Sequence, residues 1–189
     1  MVQDAGAAAI AVHGRTAAQS YSGSADWDLV ARIADDLTIP VFGSGDCVEP
    51  DQIVHRMRSG VEGVLVGRGV LRNPWILAQA TDLAAGRTPR EVTLEDRGRF
   101  LLDYIEMLLT ERVREPDGFR HGVEAQITRP GSSQERWVIN KIRALGSWYT
   151  KGLENGSHLR TAINSADSLQ SLREVIATFF FVGLLLPSA

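Results

Sequence analysis

The sequence predicts an α/β fold followed by an all-α one. In the first half, three short apolar runs each end in a Gly-containing turn, and each is followed by an amphipathic helical pattern. Past residue 92 the apolar residues settle into a sustained 3.6-residue period instead.

The first run, Ala7 to Val12, reads as a buried strand ended by His13-Gly14. Asp26 to Leu37 is predicted as a helix. Trp27, Val30, Ala31, Ile33 and Ala34 fall on one face, and Asp26 can cap the start. Thr38 to Phe42 is the second strand, ended by Gly43-Ser44-Gly45-Asp46. Pro50 to Ser59 is the second helix, stopped by Gly60. Val61 to Val66 is the third strand, ended by Gly67-Arg68-Gly69, with a helix from about Pro74 to Ala85 after it. Apolar strands alternating with amphipathic helices form parallel βα units covered from outside. Three strands do not close a barrel, which needs eight. The sheet is therefore either small and open, or the last part of a barrel whose front lies elsewhere.

A polar link, Arg87 to Val92, separates the halves. Thr93-Leu94-Glu95-Asp96 is a helix start. Phe100, Leu101, Tyr104, Ile105, Leu108 and Leu109 keep the helical period. Pro116 to Ser133, rich in Gly, Pro and Ser, reads as a loop. Glu135 to Lys151 is a further helix closed by Gly152, and Leu159 to Ile163 and Leu169 to Phe181 are two more. The domains are thus predicted as 1–86, a linker 87–92, and a helical 93–189.

Composition bounds the function. The 189 residues are 44% hydrophobic and 23% charged. That is ordinary for a globular chain, and enough for one good core or two small domains. A net charge of −3 argues against a globally basic nucleic-acid coat protein but allows a local basic face. The single cysteine, Cys47, excludes an intramolecular disulfide and a cysteine zinc cluster, and suits a reducing cytosol. No metal-ligand spacing is found among His13, His55, His121 and His158. The longest apolar run, Phe179 to Leu186, is far below the roughly 18 residues of a membrane span. The N-terminus lacks the basic region of a secretory signal. It reads as if the chain starts in the middle of something.

The motifs HGRT, GSGD and GRG all follow strand ends, where βα folds place their chemistry. His13 and Arg15 aim an imidazole and a guanidinium there, either for structure or for a ring or phosphate. Gly43-Ser44-Gly45-Asp46 lets backbone approach an anion, and Gly67-Arg68-Gly69 adds a cation. Loops of this kind after two consecutive strands favour a phosphate-bearing ligand. Cys47 has only Asp46 nearby to tune it, and a carboxylate raises a thiol, so it reads as inert. From Glu135 to Arg160, five cations (Arg136, Lys141, Arg143, Lys151, Arg160) face two carboxylates, with Trp137, Trp148 and Tyr149 interleaved. Such a stretch either holds a phosphate backbone and stacks bases, or is a solvated face with its aromatics in the core. Glu95, Asp96, Glu106 and Glu111 read as exposed helix charges.

Several runs carry a resemblance: AAAIAVHGRT, Tyr21-Ser22-Gly23 with Ala25-Asp26-Trp27, IPVFGSGD and GVLVGRGVLRNPWI. Together with the later INKIRALGSWYTKG and Arg160, they resemble a tRNA-dihydrouridine synthase over nearly the whole chain. The resemblance implies the last three βα units of a TIM barrel that binds FMN, followed by a helical tRNA-binding domain. It implies cofactor contacts at His13, Ser44, Gly45, Asp46, Gly67 and Arg68. Arg15 would face the substrate uridine, and Lys141, Arg143, Lys151 and Arg160 would meet tRNA. The implied reaction is FMN-dependent reduction of the C5–C6 double bond of a tRNA uridine with NAD(P)H, the target base first leaving its stack. The protein is then expected in the cytoplasm, without metal or membrane, and monomeric when full length. Position 44 is Ser where the family usually has Asn. The catalytic cysteine and a flavin-contacting lysine are expected upstream of Met1, so no catalytic residue is assigned here. The chain alone is expected to be inactive and, with open sheet edges, prone to aggregate. A non-catalytic tRNA-binding fragment and an unrelated phosphate-binding barrel enzyme are the alternatives.

Overall fold

The structure is a computed structural model and describes residues 2–110 and 130–182. It divides into two compact units, Met1–Glu91 and Val92–Ala189.

The first unit is mixed α/β. Strands β1 (Ile10–His13), β2 (Val41–Ser44) and β3 (Gly63–Leu65) form a parallel sheet in that order. The register pairs Ile10 with Val41 and His13 with Ser44, so both chains leave the sheet at the same edge. The strands are shorter than predicted, and the first two run further forward. Pro40 has no N–H to give a ladder, but its carbonyl accepts from Ile10 at 3.0 Å and starts the pairing. The strand then runs through Gly43-Ser44, which the sequence pattern assigns to the turn.

Helices α1 (Trp27–Asp36) and α2 (Pro50–Met57) start where predicted. Asp26 accepts from the Leu29 N–H at 2.8 Å, leaving the α1 start capped as expected. Trp27, Val30, Val41, Ile53, Val61 and Ile76 form the core of this unit. A short helix α3 (Arg68–Arg72), absent from the sequence reading, precedes α4 (Ile76–Ala84). Within α3, Gly69 packs so tightly that a Cβ would run into the Cys47 carbonyl, so only glycine fits against the neighbouring loop.

In the second unit the described elements are helices: α5 (Leu94–Thr110), α6 (Pro130–Tyr149), α7 (Gly156–Ser165) and α8 (Leu169–Ala177), with a wide π-type turn over Thr178–Val182. Thr93 and Asp96 cap α5 reciprocally. The Asp96 N–H donates to the Thr93 hydroxyl at 3.1 Å, and the Thr93 N–H donates to the Asp96 carboxylate at 3.0 Å. Helix α6 begins five residues before the predicted Glu135, inside the predicted loop. The rest of that loop, with Glu111 and His121, lies outside the described residues, as does the end of the Phe179–Leu186 run. Leu101, Ile105, Val138, Ile142, Tyr149, Ile163, Leu172, Ile176 and Phe180 make the core. No helix among the described residues is long and apolar enough to cross a membrane.

Candidate functional site

Parallel pairing carries β1, β2 and β3 to one edge, and their following loops meet there. His13, Ser44, Gly45, Asp46, Gly67 and Arg68, with Tyr21, Cys47, Val48 and Leu65, line a cleft of about 200 Å³. All six residues expected to hold a cofactor thus share one site. Its volume lies below the roughly 300–1,000 Å³ of pockets that enclose a whole ligand, so it suits one end of a larger molecule.

His13 Nδ1 and the Ser44 hydroxyl share a 3.1 Å hydrogen bond across the β1–β2 register. Gly45 holds φ +130, and a Cβ there would lie 2.6 Å from that of Ala25, so only glycine allows this turn. Its carbonyl accepts from the Trp27 indole at 2.9 Å and from the Cys47 thiol at 3.4 Å.

Asp46 is the electrostatic centre. One carboxylate oxygen accepts from Arg15 Nη2 and from the Ala25 N–H, both at 2.7 Å. The other faces Arg68 Nη2 at 3.5 Å. Burial alone would raise this carboxyl. The Ala25 N–H and the two arginines outweigh it and hold the group below its ordinary value. Two cations against one carboxylate leave the cluster positive. Through these contacts Asp46 ties Arg15 and Arg68 to the same loop.

Arg15 is held by the protein itself. Its side chain is 3% exposed, donating to Asp46 and to the carbonyls of Gly23 at 2.7 Å and Ser22 at 3.3 Å. So engaged, the guanidinium fastens the β1–α1 loop, while its buried Nη1 has no hydrogen-bond partner among the described residues. The carboxylate that claims it lies 31 residues away, out of reach of local motif reading. Cys47 is 5% exposed. Burial pushes its thiol up to about 11, partly opposed by Arg56 and reinforced by Asp46. Burial and a raised thiol both disfavour the reactive thiolate.

In the second unit the four residues expected to meet RNA do not form one cluster. Lys141 and Arg143 are two residues apart on α6 and face different ways. Lys141 Nζ lies 5.3 Å from the Trp137 ring, and Lys151 Nζ lies 3.7 Å from the Trp148 ring. Each indole carries a lysine and is half-buried, whereas Tyr149 is fully buried and has no face open to a base. Arg143 Nη2 donates to the Ala166 carbonyl at 2.8 Å, and Arg160 is half-buried. Arg136, Asn140 and Arg143, at i, i+4 and i+7, line a groove of about 420 Å³ with Glu135, Ile139 and Asp167. Charge counting had already named Arg136 among the five cations of this stretch; helical spacing adds that it shares a face with Asn140 and Arg143. Among the described residues no three His, Cys, Asp or Glu side chains could hold a metal.

Residues 1–180 match the family model described as Dihydrouridine synthase (Dus). The chain belongs to the dihydrouridine synthase family. It is 35% identical over 170 residues to a "Probable tRNA-dihydrouridine synthase" of Mycobacterium leprae (strain TN), covering 88% of this chain and 39% of that protein. A protein of the same description from Rickettsia conorii is 28% identical over 182 residues, covering 95% of this chain and 49% of its own length. "tRNA-dihydrouridine synthase B" of Pseudomonas syringae pv. tomato is 36% identical over 110 residues, covering 57% of this chain and 33% of that protein. The chain therefore spans between a third and a half of these relatives. Within this dihydrouridine synthase family member, the cleft past the β-strands brings together polar side chains from three separate loops.

Proposed function

We propose that this chain contributes the phosphate end of an FMN site and an RNA-holding surface to a tRNA-dihydrouridine synthase. In this reading β1, β2 and β3 are the last three strands of a TIM barrel, and the second unit is its helical tRNA-binding domain. The protein works in the cytoplasm and is monomeric at full length.

The observation that carries the reading is the convergence of His13, Ser44, Gly45, Asp46, Gly67 and Arg68 on one cleft. The donor set fits a phosphate. Arg68 brings a charged planar fork that matches its oxygens, and the hydrogen-bonded Ser44–His13 pair adds a further donor, the imidazole tautomer deciding which of the two supplies it. Gly45 keeps side-chain bulk off the turn. Asp46, its own charge answered by Arg15, holds the arginine edge toward the cleft without cancelling the local positive potential. FMN bound there, with NAD(P)H as reductant, supplies the hydride chemistry for the C5–C6 bond of a tRNA uridine.

The chain's own residues bind and orient. Arg68 and Ser44 hold the phosphate, and His13 stands at the end of β1 beside it. Lys141 and Lys151, exposed and steadied by their indoles, neutralise RNA phosphates. Cys47 takes no part as an acid, since it is buried against the Gly45 carbonyl.

The test is the dihydrouridine content of tRNA from source cells lacking the gene, then restored with wild type or Arg68→Ala. Loss of dihydrouridine at a tRNA position, restored by wild type and poorly by the variant, supports the reading. Unchanged dihydrouridine in the deletion strain contradicts it.

A further inference from the structure

We propose that Tyr21 is a positioning residue that holds Arg68 in place for the anionic group of the ligand. The proposal rests on the phosphate-site reading above and deepens it.

Tyr21 is 69% exposed, so core packing does not account for an aromatic ring there. The Arg68 guanidinium lies over that ring, 4.4 Å from its centre. Both side chains line the same cleft. Asp46 meets Arg68 at 3.5 Å, a longer contact than the 2.7 Å at which its other oxygen accepts from Arg15 and the Ala25 N–H. The tyrosine ring packs on the face of the guanidinium, whereas an oxyanion is met by its in-plane N–H edge. Stacking and phosphate binding use different parts of the same group, so they are compatible.

The ring is itself held. Arg15 donates to the carbonyls of Ser22 and Gly23, the two residues directly after Tyr21. Asp46, Arg15, the 21–23 loop, Tyr21 and Arg68 therefore close a circuit that returns to Asp46. Its inward arginine fixes the loop, and the loop fixes its outward arginine.

FMN and riboflavin differ only by the phosphate, so the ratio of their affinities reads that contact alone. Both are titrated by flavin fluorescence into the 189-residue chain as wild type, Tyr21→Phe, Tyr21→Ala, Arg68→Ala and the double variant Tyr21→Ala/Arg68→Ala. Tyr21→Ala is expected to lower the FMN-to-riboflavin ratio by about two- to fivefold, the scale of an exposed cation–π contact. Tyr21→Phe keeps the ratio, and Tyr21→Ala adds no loss once Arg68 is alanine. An unchanged ratio in Tyr21→Ala, an equal loss of both ligands, or the same loss in Tyr21→Phe overturns the role of Tyr21 while leaving the phosphate site standing. A wild type that binds both flavins equally overturns the phosphate site, and this proposal with it.

Discussion

Arg15 and Asp46 form a 2.7 Å ion pair in which the arginine side chain is almost wholly buried. Removing the carboxylate leaves that charge without its answer. Breaking a buried pair from one side costs about 3–5 kcal/mol, and the partial exposure of Asp46 puts Asp46→Ala near the lower end, about 3 kcal/mol. Denaturant unfolding of wild type and variant measures it. A difference under about 0.5 kcal/mol would be the surface-pair value and would mean the pair does not organise the loop.

The same carboxylate sets an acid limit. Its folded value lies below the ordinary 3.8, so its contribution is present above that pH and is lost as pH falls through the lower, folded value. The stability gap between wild type and Asp46→Asn is expected to be constant near neutrality and to shrink as pH drops below 3.8. A gap that stays the same into strong acid contradicts the ion-pair account.

Cys47 gives a probe of the cleft wall. With its thiol raised to about 11 by burial, it stays neutral and shielded at pH 8. A disulfide reagent is expected to label it only after denaturant is added. Rapid labelling of the native protein would place the thiol at the surface and the Gly45 turn in another conformation.

On the second unit, Lys141→Gln and Lys151→Gln are each expected to reduce the salt dependence of tRNA binding by about 0.7–0.9 in log–log slope, one phosphate contact apiece. Arg143→Gln acts differently. It removes the donor to the Ala166 carbonyl, costing about 1 kcal/mol of stability. Filter binding across a salt series, beside thermal melts, separates the two. Equal slopes for wild type and both lysine variants would remove these side chains from the RNA surface.

Much of the cleft was legible because parallel strands place their carboxyl ends together, so HGRT, GSGD and GRG had to meet. Asp26 and Thr93 were legible as caps for the same kind of reason, since their partners lie within one turn. What was not legible depended on distant partners. Arg15 has the composition of a ligand contact, and only Asp46 from the next loop turns it inward. Gly67-Arg68-Gly69 looks like an open turn. In the structure Arg68 is the first residue of a helix, whose Gly69 fits against the Cys47 carbonyl only because it lacks a Cβ. Tyr149 sits in a basic, aromatic stretch, yet its ring stacks on Phe100 at 5.6 Å and its hydroxyl donates to the Arg97 carbonyl at 3.0 Å. Spacing alone does not separate a core tyrosine from an exposed one when the helix is amphipathic and its polar face is also aromatic.

If Arg68, braced between Asp46 and Tyr21, takes the phosphate of FMN, phosphorus NMR of FMN mixed with the protein reads that contact at the phosphate itself. The phosphate resonance is expected to shift and broaden with wild type and to stay near its free position with Arg68→Ala. A resonance unmoved by wild type, or moved equally by the variant, overturns the assignment of Arg68.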